Sequence, residues 1–282
     1  MSGYTVTRAD IDALKLVHPD VFDVRRKRAI LAIVWAVVIG YVAISLWYFD
    51  VGRFLNASDR AWRLISAMFV WKDIETWQFA NIYGAIAQTL AMAFLGTFMA
   101  SVAALFLGFL AARTTMPFPF VRQIVRRILD VFRGVDQLIW GLVFVRAVGL
   151  GPLAGVLAIF ISDTGTLSKL YSEALENIDR KQVEGVRATG AGPIKVMRYG
   201  YLPQVLPVFI SQSLYFFESS TRSATILGLV GAGGVGMIII ERFRANLFDQ
   251  VAFVVINVLI CVFAIDWVSK KIRERYIGEQ SH

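Results

Sequence analysis

The chain has 282 residues, 57% of them hydrophobic and 18% charged, with a net charge of +8 and a mean hydropathy of +0.60. That balance excludes a soluble domain with an oily core and describes an all-α polytopic membrane protein. The basic residues sit at the ends of apolar runs rather than on one face, so no nucleic-acid surface is expected. One cysteine (Cys261, in an apolar run) excludes an internal disulfide, and two histidines in the tails (His18, His282) argue against a metal centre.

Residues 1–28 read as a polar cytoplasmic tail. Thr7 to Asp10 form a capping box for a short amphipathic helix carrying Ile11, Leu14 and Val17. Arg25-Arg26-Lys27-Arg28 precede an uncharged run, and residues 29–49 are expected to be a first, uncleaved span ending in the interfacial Trp47-Tyr48-Phe49. Residues 50–81 carry balanced charge with Trp62, Trp71 and Trp77, which suits an amphipathic segment along the periplasmic surface.

A membrane core is expected over 82–269, with five further spans, about six in all. Ile82 to Ala112 is uncharged and, at about 1.5 Å per residue, longer than a ~30 Å hydrocarbon core. A basic loop follows, with Arg122, Arg126 and Arg127 on a short helix after Pro117 and Pro119. Spans three and four, 134–148 and 153–168, turn at Gly149-Leu150-Gly151-Pro152, with Gly151 and Gly155 permitting close approach. Asp136 beside Arg133 predicts a structural ion pair, and Asp163 predicts a cap or a bond between helices.

Leu167–Pro203 is the long polar interval of the second half. Leu167, Leu170, Tyr171, Ala174, Leu175 and Ile178 recur at helical spacing, and a second helix is expected over about 182–189, ended by Gly190-Ala191-Gly192-Pro193. A fifth span is expected over 202–221, a Gly-rich re-entrant segment over 226–240, and a last span over 251–268, followed by a basic cytoplasmic tail, 270–282. With both termini inside, the cytoplasmic segments hold 21 of the 29 Lys and Arg residues, as the positive-inside tendency requires.

The polar interval resembles the cytoplasmic coupling loop, or EAA motif, of ABC importer permeases: E-A-A, three residues, G, nine residues, I-x-L-P. Glu184 takes the acidic position, Gly190 follows six residues later, and Leu202-Pro203 closes the pattern. Gly185 and Val186 stand in place of the alanines and Gly200 in place of the isoleucine. Leu138-Ile139-Trp140, Gly149-Leu150-Gly151-Pro152, the block from Tyr199 to Pro207, Tyr215 to Glu218, and Arg222 to Gly236 are similar to phosphonate-type ABC importer permeases. The likeness runs over about 80–275. It implies a type I importer permease fold in a bacterial inner membrane, paired with a second permease subunit, either a copy or a close paralogue. It also implies two cytoplasmic ATP-binding subunits that carry the ATP and Mg, and an extracytoplasmic binding protein delivering phosphonate or a related phosphorus oxyanion. The residues it assigns to ATPase coupling are Glu184, Gly185, Arg187, Ala188, Gly190, Ala191, Leu202 and Pro203.

Intramembrane ionisable residues are functional candidates by default. Glu218 and Arg222 lie one helical turn apart, where they either neutralise each other or leave Arg222 to guide an anion. Arg146 either lines the pathway or snorkels to the interface. The pathway or gate set is Arg222, Glu218, Ser223, Thr225, Gly231, Gly233, Gly234 and Arg146. The run Gly231 to Gly236 fits a G-x-G-x-x-G dinucleotide pattern, but without a strand–turn–helix unit a close-packed gate is the better reading.

No G-x-x-x-x-G-K-[ST], G-x-S-x-G or H-E-x-x-H occurs, so the chain is not expected to be an enzyme, and it is expected to bind no cofactor or metal itself. The alternatives are an ABC importer permease for another small solute, or an ion-coupled secondary carrier, which would more often show repeated halves.

Overall fold

The computed structural model describes residues 24–48, 61–71 and 74–277. The expected amphipathic helix around Ile11, Leu14 and Val17 lies outside them. Among the described residues every regular element is helical: α1 (Val24–Tyr48), α2 (61–69), α3 (Phe79–Ala111), α4 (Pro119–Gly134), α5 (Gln137–Val148), α6 (Pro152–Glu176), α7 (Arg180–Ala188), α8 (Pro193–Val196), α9 (Leu202–Leu229), α10 (Val235–Arg244) and α11 (Phe248–Ile277). The chain divides into two compact units, Met1–Ile65 and Ser66–His282.

The first unit contains α1, which starts inside the basic run and is apolar all round, as a lipid-facing helix must be. In the second unit α3 is the central element. It is uncharged along 33 residues and packs chiefly on α6. Small residues set that contact: a Cβ on Gly96 would fall within 2.7 Å of Ile159 Cβ, and one on Gly108 within 2.9 Å of Tyr171 Cβ. Close backbone approach is the usual way membrane helices gain van der Waals contact, since lipid is as apolar as leucine.

Three apolar clusters stack along the bundle. One, near the polar loop, joins Leu167, Tyr171, Leu175, Val183, Val196, Tyr201, Val205 and Phe209. A middle cluster joins Ala93, Ile159, Ala224, Leu227 and Ala232, and a third joins Ile82, Ile86, Val235 and Val254. Among the described residues four helices are long and apolar enough to cross a membrane: Lys27–Tyr48, Phe79–Ala111, Pro152–Glu176 and Phe248–Arg275. α5 is apolar but only 12 residues long, and α9 has 28 residues and carries Glu218 and Arg222.

Three local expectations are corrected. The helix expected to start at Leu167 is the last part of α6, which runs unbroken to Glu176 because the buried stripe Leu167, Tyr171, Leu175 continues the one before it. The Gly-rich stretch 226–240 is two helices joined by a turn, not one segment: α9 continues to Leu229 and α10 starts at Val235. Asp136 does not pair with Arg133. Its carboxylate caps α5 by accepting the Leu138 N–H at 2.8 Å, and Arg133 lies 3.8 Å from Asp130.

Candidate functional site: a loop knob, a glycine turn and a charged cluster

The knob is built from α7, α8 and the turn that enters α9. Asp179 caps α7 by accepting the Lys181 N–H at 3.0 Å, so the helix begins at Arg180, two residues before the expected start. It ends at Ala188; two residues on, Gly190, with a φ of +77°, takes a left-handed geometry that glycine adopts without strain. Gln204 ties the knob to α9: its Oε1 accepts the Asp179 N–H at 3.0 Å and its Nε2 donates to Gly200 O at 2.7 Å. Val183 is buried against Gly200, where an added Cβ would lie 3.3 Å from Val183 Cα.

That packing leaves one face free. Glu184, Gly185, Arg187, Ala188 and Gly190 are exposed, Ala191 and Leu202 are half-buried, and Pro203 is exposed. Ile194 stands 84% exposed beside them. A single π turn, Met197–Tyr201, leads into α9, where Pro203 has no N–H to return to the preceding turn. The base of the knob is fixed by Arg126, which donates to Glu176 Oε1 at 2.6 Å and to Ala111 O at 2.8 Å, joining α3, α4 and α6.

At the far end of α9, Gly231, Gly233 and Gly234 have φ of +99°, +82° and +71°. The turn they form is clamped from two sides. Gly151 N–H donates to Gly231 O at 3.0 Å, Gly234 N–H to Gln88 Oε1 at 2.9 Å, and Val235 N–H to Thr89 Oγ1 at 2.8 Å. The Gly234 and Val235 amides, which a pyrophosphate at this turn would need, are already occupied. Gly155 completes the packing, its Cβ position lying 3.2 Å from Ala232 O. The dinucleotide pattern here is a packing motif.

Between the two ends lies the charged cluster. Arg222 Nη2 is 3.1 Å from Glu218 Oε1, and Arg273 Nη2 is 3.6 Å from Glu218 Oε2. Glu218 is buried, whereas the Arg222 side chain is 53% exposed. The expected pair therefore forms, and it leaves about half of the Arg222 side chain exposed. Arg273, from the basic end of α11, joins a carboxylate far away in sequence. Ser223 and Thr225 are half-buried, and Thr225 Oγ1 donates back to Thr221 O at 3.3 Å within the helix. Arg146 is exposed in the last turn of α5, with no carboxylate in ion-pair distance among the described residues.

One level along the bundle, buried Asp163 accepts hydroxyl hydrogens from Thr97 at 3.1 Å and Ser220 at 2.7 Å, pinning α6 to α3 and α9. Removing the shared acceptor strands two buried hydroxyls. Asp163→Ala is therefore expected to cost about 1–3 kcal/mol, measured as a lower Tm in detergent. Asp163→Asn keeps an acceptor and is expected to lose less. Equal losses would mean that this pin contributes through charge, not hydrogen bonding. Among the described residues no group of three His, Cys, Asp or Glu is arranged to hold a metal ion.

The described helices form a bundle with a glycine-clamped turn at one end and an exposed knob at the other, with helices long and apolar enough to cross a membrane several times. Residues 104–277 match the family described as binding-protein-dependent transport system inner membrane component, and the chain belongs to that family. It is 35% identical to the phosphite transport system permease protein PtxC of Stutzerimonas stutzeri, over 86% of this chain and 88% of that one. It is 40% identical to the phosphate-import permease protein PhnE of Mycolicibacterium smegmatis, over 70% of this chain and 37% of that one. Among solved structures, the inward-facing MetNI methionine ABC transporter aligns with a TM-score of 0.61 and 22% identity, over 73% of this chain and 99% of that chain. This last likeness supports the fold. The expected all-α, type I importer permease architecture is borne out.

Proposed function

We propose that this chain forms the translocation pathway of an ATP-driven importer for phosphite, phosphonate or a related phosphorus oxyanion. It works beside a second permease subunit, two cytoplasmic ATP-binding subunits that bind the ATP and Mg, and an extracytoplasmic binding protein. Both termini and the knob face the cytoplasm. The observation that carries the cargo class is the likeness to a phosphite permease along nearly the whole chain. The charged cluster supports it: two guanidiniums beside the one buried carboxylate of Glu218 leave a surplus positive charge there, and a guanidinium suits phosphorus oxyanions by geometry as well as charge.

The mechanism is mechanical. The ATP-binding subunits close on ATP and move the exposed face of α7; the knob transmits that motion to α9, and the glycine turn opens or seals the pathway at the other end. ATP hydrolysis is assigned to the partner, because the sequence holds no G-x-x-x-x-G-K-[ST] phosphate loop.

Reconstituted with its ATPase and binding protein, the wild type is expected to take up phosphite or methylphosphonate only with ATP inside reach of the ATPase. Arg222→Ala is expected to cut that uptake about tenfold or more, a loss of ~1.4 kcal/mol or more of stabilisation for the anion in transit, while the ATPase still co-purifies. Unchanged uptake kinetics would make Arg222 only a partner of Glu218. Uptake without any ATPase would favour an ion-coupled carrier instead.

A further inference from the structure

A second polar site lies apart from the charged cluster, where the start of α3 meets α10. A cavity of about 450 Å³ opens there, lined by Gln78, Asn81, Gly84, Gln88, Glu241 and Arg242, among others. Three observations make it more than a surface cleft. Among the described residues, the buried Arg242 Nε has no hydrogen-bond acceptor and no carboxylate lies within ion-pair distance of that guanidinium. That N–H is closed off from solvent, and the guanidinium that carries it lines the cavity without a described carboxylate to neutralise it, which leaves its charge for an anion. Gln88 is the second observation. Its Oε1 already accepts the Gly234 N–H, which fixes the amide so that its NH2 remains to donate. The third is composition: the side-chain amides of Gln78, Asn81 and Gln88 join one guanidinium, with Glu241, exposed on the rim, the only carboxylate lining the cavity among the described residues.

We propose that this cavity is a reception site for a small oxyanion, held by the Arg242 guanidinium and the Gln88 amide, and that its occupancy is read by the glycine turn through the Gln88–Gly234 hydrogen bond. The cargo class and the outward orientation of this end rest on the function proposed above. A planar fork and an amide NH2 suit two oxygens of one phosphorus centre, and the rim carboxylate of Glu241 keeps the hold weak enough for release. The site differs from the Arg222 cluster in position and partners, so the two can act in sequence along one route.

The test uses the purified complex of permease and ATPase in nanodiscs, without the binding protein. Sodium phosphite and methylphosphonate are titrated against a chloride control while tryptophan emission is followed; Trp77 lies immediately before Gln78. A saturable change is expected. Arg242→Gln and Gln88→Leu should each raise the half-saturation concentration about tenfold or more. Arg242→Lys should raise it less, and Glu241→Gln should lower it several-fold. Co-purification of the ATPase with every variant controls for folding. No saturable response, or identical titrations of wild type and Arg242→Gln, overturns the site. So does an Arg242→Gln effect confined to the concentration of binding protein needed for uptake, because that makes Arg242 a docking contact. Wild type that binds phosphite here but moves none in ATP-driven uptake would refute the cargo reading and leave the site standing. Wild type that transports phosphite while the variants titrate unchanged would do the reverse.

Discussion

Gly236→Val is expected to abolish transport. A Cβ at this position would run into the carbonyl oxygen of Thr225 and come within 2.7 Å of Gly228 Cα. Both neighbours are backbone, so no side chain can rotate away, and α9 and α10 have to separate. Overpacking of a core typically costs about 1–3 kcal/mol. Applied to an equilibrium between two states of a gate, that range changes their ratio by roughly 5- to 150-fold. The separation also pulls the turn off Gln88 and Thr89, which hold it by hydrogen bonds to Gly234 and Val235. ATP-driven uptake in proteoliposomes is the measurement, with Gly40→Ala as control because nothing lies within 4 Å of that position. Wild-type uptake by the Gly236 variant would show that the turn is not a tightly fitted part of the pathway.

The second large effect is expected at the knob. Gly190→Pro asks a ring locked near φ −65° to occupy a position at φ +77°, and it deletes the N–H that donates to Arg187 O at 3.0 Å. Glu184→Lys leaves the fold of α7 alone and reverses a charge on its exposed face. Both variants should insert in the membrane at normal levels, lose ATP-driven uptake, and uncouple ATP hydrolysis from the arrival of the loaded binding protein. Normal transport by both would remove the knob from the mechanism. Failure of Gly190→Pro alone would assign the role to the shape of the loop rather than to its charge.

The knob was legible from spacing because its determinants are local. Glu184 and Gly190 lie within two helical turns, and a cap such as Asp179 acts on residues two or three further along the chain. The glycine run and the Glu218–Arg222 pair are local for the same reason. What spacing cannot show is long-range partnership. Gln88 and Thr89 are two polar residues in an uncharged run, and nothing in the run says that they hold a turn 146 residues away. Arg273 reads as one more basic residue at the inner end of a span, yet its guanidinium reaches Glu218. Gln204, inside a recognisable block, ties Asp179 to Gly200. The boundary at Leu167 differs for another reason: α6 changes from apolar to amphipathic halfway along, and in the sequence that change of surroundings looks like a change of element.

The absence of breaks in most of α9 has a consequence for how force is delivered. After Pro207 no proline or glycine occurs until Gly228, a stretch of about 30 Å at ~1.5 Å per residue. Compliance is therefore concentrated near the anchored end, around Pro203, Pro207 and the π turn, and the remainder behaves as a stiff lever. A rotation of about 10° at the fulcrum would sweep the tip sideways by about 5 Å, close to the pitch of one helical turn. A small stroke at the membrane surface is thereby geared up into a displacement comparable to the width of a phosphorus oxyanion.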